Sequence, residues 1–202
     1  MVKYILTTFA VFNIIHFYIT PLFLMRKLLF ISLLLVGCTE SNTENTPKYY
    51  YDLAGFINQQ ISQLTKNQPI VQKNLLIGEK TETMQTKDID WKKELELFLQ
   101  ADLNKQSYQL SYTQDSTQNT VVYQLKKGEK LPVKSLKIEF DEEKSPKNIE
   151  ALMQVENYLY KSEKTLSMNL DKQQLKNYQI EGWQELFIGK KKVYKVVGVI
   201  KK

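Results

Sequence analysis

The chain has 202 residues, with 28 Lys and Arg against 22 Asp and Glu, and a single Cys and a single His. The cysteine is Cys38 and the histidine is His16, so no internal disulfide is possible. The part after Cys38 also lacks the imidazole and thiol groups of Ser-His-Asp, Cys-His and zinc sites. Metal sites or acid–base pairs built from carboxylates alone stay open, but no catalytic, metal-binding or cofactor-binding residue is singled out.

Residues 1–24 make up about one membrane-spanning length of mostly apolar sequence. If Met1 is the start, they predict a transmembrane helix that leaves Arg26 and Lys27 on the outer side, against the positive-inside rule. If Met25 is the start, the same two charges precede the next apolar run, as an export signal requires. We favour Met25, which places residues 1–24 upstream of the true start.

Residues 28–38, LLFISLLLVGC, follow these charges and end in Leu35-Val36-Gly37-Cys38. A short apolar run with a small residue before cysteine is typical of a bacterial lipoprotein signal, and it predicts cleavage after residue 37. Acyl chains such as palmitate on Cys38 would then anchor the protein to a membrane. We expect a signal peptide at 25–37, a polar lipidated tether at 38–47 and one domain at 48–202, located at the outer membrane of a cell envelope.

The net charge of the exported part is small. Residues 1–37 contain three of the 28 basic residues and no acidic residue, so the remaining 165 residues carry 25 lysines against 22 acidic residues. A net charge of +3 without arginine is not the basic surface of a nucleic-acid-binding protein, because Arg26 lies before the cleavage point. We therefore expect no nucleic acid partner.

Two helices are predicted before residue 105. The first has Thr46 as N-cap and Pro47 at its first position, and it ends at residues 66–69. The second covers residues 88–104 with Asp88 or Asp90 as its cap, and residues 69–87 between the helices predict a strand pair that breaks near Gly78. The apolar stripes of the two helices consist of Tyr50, Leu53, Ile57, Ile61 and Leu64 in the first and of Trp91, Leu95, Phe98 and Leu99 in the second.

From residue 106 onward the apolar period becomes two, which predicts strands. Residues 108–112, 121–125 and 136–140 form the first three, whereas residues 149–155 fit either a short helix or a strand. Residues 155–170 predict a hairpin that turns at 161–164. A last hairpin joins 175–188 to 192–201, with a bulge at Gly182 and an apolar final strand that lies centrally or against a helix.

These elements predict an α+β fold with two helices packed on one face of a curved, mostly antiparallel sheet of about seven to nine strands. The sheet is expected to be a meander with the shape of a half-barrel. Helices too short to cover it would leave a cleft lined by Tyr108, Tyr112, Tyr123 and Phe140. The alternative is that the helices fill this face completely and the domain is only a scaffold.

Three segments resemble a family of small uncharacterised lipoproteins from Gram-negative bacteria: DIDWKKELELFLQADLNK, ENYLYKSEKTLSMNL and YQIEGWQELFIGKKKVYKVVGVI. The resemblance implies no activity and transfers no functional residue. The order of elements behind the lipoprotein signal is also similar, in architecture only, to the half-barrel of periplasmic lipoprotein carriers.

The most direct functional hypothesis is a non-enzymatic envelope lipoprotein, held to the membrane by its lipid anchor, that binds a hydrophobic ligand or an envelope protein. One alternative is an enzyme that acts on envelope glycans through paired carboxylates, for which Glu139 and Asp141 alternate onto one strand face. Lys137 shares that face, which favours a solvated edge instead. A further alternative is an accessory subunit of an envelope complex, which would expose a large apolar patch.

Overall fold

The computed structural model describes residues 48–201, so Cys38, the predicted signal peptide and the whole of the tether lie outside the described residues. Helix α1 is Leu53–Asn67, α2 is Trp91–Glu94 and α3 is Glu96–Gln100, followed by a 3-10 turn at Gln106–Tyr108. The strands are β1 Val71–Ile77, β2 Lys80–Thr86, β3 Tyr112–Ser116, β4 Thr120–Leu125, β5 Val133–Phe140, β6 Pro146–Glu156, β7 Tyr160–Asp171, β8 Gln174–Leu186 and β9 Lys192–Ile200.

All nine strands belong to one open sheet in the order β2-β1-β9-β8-β7-β6-β5-β4-β3, and every pairing is antiparallel. Strands β3 to β9 form the predicted meander. The hairpin of β1 and β2 then joins its far side, where β1 pairs with β9 from Val71↔Ile200 to Ile77↔Tyr194. The final strand is therefore interior, which explains why it is apolar on both faces.

The prediction of two helices is only loosely met, because the described residues contain one long helix and two short ones. Helix α1 begins at Leu53 rather than at Pro47, because the carboxylate of Asp52 accepts a hydrogen bond from the Gly55 amide and serves as the N-cap. The second predicted helix is interrupted at Leu95, where the backbone turns to φ −99° and ψ 10°. Its cap is Asp90, which accepts from the Lys93 amide.

Three strand predictions are corrected by the structure, and one open alternative is decided: residues 149–155 belong to strand β6. The first correction concerns Tyr108, which lies in the 3-10 turn before β3. Residues 161–164 belong to β7, since the chain turns at 157–159 instead. Gly182 forms no bulge: its pairing with Lys164 and Tyr194 continues the register, and a Cβ there would overlap the carbonyl oxygen of Glu163.

The core lies between the helices and one face of the sheet. Cross-strand neighbours on that face form two apolar rows: Ile138, Ile149, Met168, Tyr178 and Gly198, and beside it Leu136, Ala151, Leu166, Ile180 and Val196. All of these residues except Val196 are buried. The next row toward the β6–β7 turn runs through Met153, Lys164, Gly182 and Tyr194, so the face becomes polar where the helices end.

Helix α1 is attached near the opposite ends of the strands. Gln60 is almost fully buried; its Nε2 donates to the carbonyl of Gln173 at 2.8 Å, and its Oε1 accepts from the Leu175 amide at 3.1 Å. Residues 173 and 175 flank the start of β8, so this pair of hydrogen bonds holds α1 against the β7–β8 turn. In residues 48–201, no helix is long and apolar enough to cross a membrane.

Candidate functional site

The predicted tyrosine cleft is filled in the structure. Tyr108, Tyr112 and Tyr123 do come together, but they are only 7%, 5% and 4% exposed, so they belong to the core and line no open cleft. The ring of Tyr50 packs edge-on against Tyr112 at 5.6 Å and Tyr123 at 5.4 Å between centroids. The cleft prediction is corrected on this point, because residues just before α1 fold over these rings.

Hydrogen bonds hold Tyr50 and Tyr51 over these rings. The hydroxyl of Tyr50 donates to the Tyr108 carbonyl at 3.3 Å, and the amide of Tyr51 donates to the Tyr123 hydroxyl at 3.0 Å. Burial first, and the charge of Asp52 second, raise the pKa of Tyr51 to about 12. Phe140 lies at the margin of this cluster, where its ring contacts Tyr51 at 6.0 Å. Tyr50 and Tyr51 thus pack onto the core just before α1 begins.

An open cleft does exist on the same face, beyond the end of α3. Its volume is about 310 Å³, and it lies beside the β6–β7 turn, where the helices leave the sheet uncovered. We call it the lysine cleft. It is lined by Gln100, Lys105, Pro132, Met153, Val155, Tyr160, Ser162 and Lys164.

The position of Lys105 is fixed by the end of α3. Its Nζ donates to the carbonyl of Gln100 at 2.8 Å and lies 4.9 Å from the ring centre of Tyr108. Burial lowers the pKa of Lys105, and the nearby charge of Asp102 opposes this shift. Asp102 itself accepts hydrogen bonds from the amides of Ala54 and Asn104, so its charge is already partly compensated.

Strand β7 supplies the other polar groups. Ser162 and Lys164 are two residues apart, so both side chains point to the helix-bearing face. Among the residues the structure describes, neither Lys105 nor Lys164 has an ion pair and the Ser162 hydroxyl has no hydrogen bond. Ser162 is only 5% exposed, yet no fully buried side-chain oxygen or nitrogen in the described part lacks a partner. Its hydroxyl therefore reaches solvent through the cleft.

The wall of the cleft is apolar. Met153 and Val155 of β6 stand opposite Lys164 and Ser162, and Pro132 closes the side toward the β4–β5 loop. A second, wider concavity of about 570 Å³ shares Pro132 and Val155 with the lysine cleft.

The groups that line the lysine cleft indicate its class of ligand. Two ammonium groups and one hydroxyl beside an apolar wall match an anion that carries a hydrocarbon part. Sequence reasoning missed this site because it assigned residues 161–164 to a turn.

A second polar cluster joins α2 to the sheet. Glu94 pairs with Lys73 of β1 at 2.7 Å and accepts a hydrogen bond from the Tyr178 hydroxyl at 2.5 Å. Both charged side chains are about 15% exposed, and burial, followed by the bond to Glu94, raises the pKa of Tyr178 strongly. Since each group is satisfied by the others, we assign this cluster to holding α2 on the sheet.

The carboxylates considered for catalysis have local partners. Glu139 accepts a hydrogen bond from the side-chain amide of Asn148 at 2.7 Å and pairs with Lys137 at 2.5 Å. These two bonds lower the pKa of Glu139. Asp141 accepts from the backbone amides of Glu143 and Ser145 in the following turn. Residues 48–201 contain no group of three or more His, Cys, Asp or Glu side chains placed to hold a metal ion.

Comparison with known proteins found no match to this chain among family models, curated proteins or solved structures.

Proposed function

We propose that this protein is a lipid-anchored, non-enzymatic envelope protein of the outer membrane that binds an anionic amphiphile in the lysine cleft. Lys105, Lys164 and Ser162 would hold a carboxylate or phosphate headgroup, and the hydrocarbon part would lie against Met153 and Val155. The half-barrel curvature expected from the sequence belongs to the same proposal, because it would place the cleft on the concave side of the sheet.

The observation that carries this proposal is the pair of lysines without ion pairs around a cavity of about 310 Å³. Lys164 is half-buried in the wall of the cleft, and no carboxylate of the described residues pairs with it. A bound anion would supply charge-assisted hydrogen bonds, each worth about 1.5–3 kcal/mol. The volume is at the lower end of ordinary ligand sites, which favours a headgroup with a short length of chain.

The place where the tether enters the domain also supports the proposal. The amide of Tyr50 donates to Asn104 at 3.0 Å, and Asn104 is adjacent to Lys105 of the cleft. If Cys38 carries the lipid, the ten peptide units up to Lys48 reach at most about 36 Å, so the cleft stays near the membrane surface. An amphiphile from that membrane would then have a short path to the site.

The test uses the chain from residue 38 with Cys38→Ala, which keeps every residue of the described core. Binding of dodecyl phosphate is compared with that of uncharged dodecyl maltoside by calorimetry, below their micelle concentrations. We expect preference for the phosphate, and about a tenfold weaker affinity in Lys164→Gln and in Lys105→Gln. The exposed Lys147, near the opposite end of β6, is the matched control, and Lys147→Gln should bind as the parent does.

The pH dependence provides a second readout. Because burial lowers the pKa of Lys105, this ammonium loses its proton at a lower pH than a free lysine, and phosphate affinity should fall as the pH rises through that value. Lys105→Gln should lack this part of the pH dependence. Equal affinity for the two detergents, or equal losses in Lys147→Gln and Lys164→Gln, would contradict the proposal.

A further inference from the structure

One end of the sheet carries an unusual concentration of exposed apolar side chains. In the turn after β6, Tyr158 is 84% exposed and Leu159 is 55% exposed. In the turn after β8, Phe187 and Ile188 are 83% and 85% exposed, next to Leu186 at 52%. We call these five residues the apolar tip. Turns normally present polar residues, so a cluster of this kind indicates an interaction surface.

The two turns form one continuous surface. The amide of Phe187 donates to the carbonyl of Leu159 at 2.8 Å, and Tyr160 pairs with Leu186 across β7 and β8. A shallow concavity between the turns is lined by residues of both, including Tyr158 and Phe187. Tyr160 also lines the lysine cleft, so the tip and the cleft adjoin.

Lysines surround the tip. Residues 190–192 are three consecutive lysines directly after Ile188 and Gly189, and Lys161 follows the other turn. The acidic residues in the same two segments are Glu156, which pairs with Lys161 at 2.6 Å, and Glu185. Lys191 stacks on the ring of Trp183 at 3.9 Å, whereas Lys190 has no partner in the described part of the chain. The segments 156–161 and 185–192 together carry a net charge of +2.

We propose that the apolar tip docks on an anionic lipid surface, with Phe187, Ile188 and Tyr158 entering the headgroup boundary and the lysines contacting the headgroups. Apolar and aromatic side chains at a projecting end, with a rim of lysines, match the layering of a bilayer interface. The positive rim is complementary to anionic headgroups. It opposes the alternative of a second copy packed tip to tip, since the two rims would repel.

This inference does not depend on the lysine cleft, and the two proposals are tested by different residues. The chain from residue 38 with Cys38→Ala is sedimented with vesicles of phosphatidylcholine alone and with vesicles that also contain 30% phosphatidylglycerol, a fraction that we choose within the range of anionic membranes. We expect binding to the anionic vesicles that weakens as the salt concentration rises. Lys147→Gln, at the end of β6 far from both the tip and the cleft, should bind these vesicles as the parent does.

Two sets of tip variants sharpen the test. Phe187→Ser with Ile188→Ser should weaken vesicle binding at least tenfold, whereas Ile70→Ser, an exposed apolar residue just before β1 at the far end of the sheet, should not. Lys190→Glu with Lys192→Glu should remove the preference for anionic vesicles. Lys87→Glu, just after β2, should leave it intact.

A direct readout of insertion comes from Phe187→Trp. The fluorescence emission of the introduced tryptophan should shift to shorter wavelength when anionic vesicles are added, because the indole ring leaves water. Unchanged binding in the double serine variant would overturn the proposal. A concentration-dependent dimer that the double serine variant abolishes would also overturn it, because a second copy would then occupy the tip. Capture of an envelope protein without any vesicle binding would overturn it as well.

Discussion

The ring of Tyr178 lies directly over Gly198 of the neighbouring strand, so that a Cβ at residue 198 would overlap the ring atoms Cε1 and Cζ and the hydroxyl oxygen. The two residues are cross-strand partners on the helix-bearing face. Tyr178 is fully buried, packs edge-on against Trp91 at 6.5 Å and bonds to Glu94. The absence of a side chain at residue 198 therefore makes room for the ring that connects β8 to α2.

Gly198→Ala should destabilise the fold, because the buried ring cannot move aside without breaking its bond to Glu94. We expect a loss of about 1–3 kcal/mol in the free energy of unfolding, measured with urea. In a Tyr178→Ala background the same substitution should cost less than about 0.5 kcal/mol, since the space is then vacant. Equal costs in both backgrounds would show that the ring does not require the glycine.

The ion pair of Glu94 and Lys73 should behave as a coupled unit. Glu94→Gln leaves the poorly exposed ammonium of Lys73 without its carboxylate, and we expect a loss of about 2 kcal/mol. Lys73→Met with Glu94→Gln should be less destabilising than the sum of the single changes. Thermal unfolding of the four proteins in a double-mutant cycle measures this coupling, and strict additivity would contradict it.

Tyr50 should contribute far more to stability than its neighbour Tyr49. Tyr50 covers the rings of Tyr112 and Tyr123, so Tyr50→Ala should cost about 3 kcal/mol through the cavity that it leaves. Tyr49 is 49% exposed, and Tyr49→Ala should lie within about 0.5 kcal/mol of the parent. Urea unfolding of the pair checks this, and similar losses in both would refute the assignment.

The N-cap residue of α1, Asp52, should make the stability of the fold depend on pH. Although burial opposes it, hydrogen bonds from Lys48 and the Gly55 amide lower the pKa of Asp52 in the folded protein. The charge of Asp52 thus stabilises the fold above the carboxyl's unfolded pKa of about 3.9, and this contribution is lost as the pH falls through the lower folded value. At pH 7, Asp52→Ala should cost about 1 kcal/mol.

Asp52→Asn serves as the control for this prediction, because asparagine also caps helices but carries no charge. The difference in melting temperature between the parent and Asp52→Asn should narrow as the pH falls below about 4. A difference that stays constant from pH 7 to pH 3 would show that the charge of Asp52 has no role.

The proposed anchor depends on Cys38. We expect labelled palmitate to be incorporated into the native protein, and Cys38→Ala to lose both the label and the membrane association. The intact mass of the mature protein should correspond to a chain that begins at Cys38. An unlabelled protein that retains residues 1–37 would refute the predicted signal, the tether and the envelope location together.

Local pattern was sufficient for most of the strands. The alternation of Leu136, Ile138 and Phe140 predicted β5, and Gly189-Lys190-Lys191 predicted the last turn, because these features depend only on residues close in the chain. The start of α1 was predicted six residues too early, since Thr46-Pro47 and Asp52 are both acceptable starts and only the contacts of Tyr50 and Tyr51 decide between them.

The candidate site was not predictable in the same way. Ser162 and Lys164 are ordinary polar residues of a long strand, and nothing near them in the sequence shows that α3 ends where they lie. The sequence pattern predicted a cleft lined by Tyr108, Tyr112 and Tyr123 instead, but tyrosines suit a buried core as well as a cleft. Which of the two they form depends on Tyr50, which lies about 60 residues earlier in the chain.

The sequence by itself determined that the domain is built on an antiparallel meander, because side-chain alternation and turn residues are local properties of the chain. Only the tertiary structure decided that β1 joins β9, that Tyr50 fills the tyrosine cluster and that Lys105 and Lys164 line one cleft. Each of these arrangements brings together residues at least 58 positions apart. Their formation depends on the competing free energies of burial across the whole domain, which no short stretch of sequence contains.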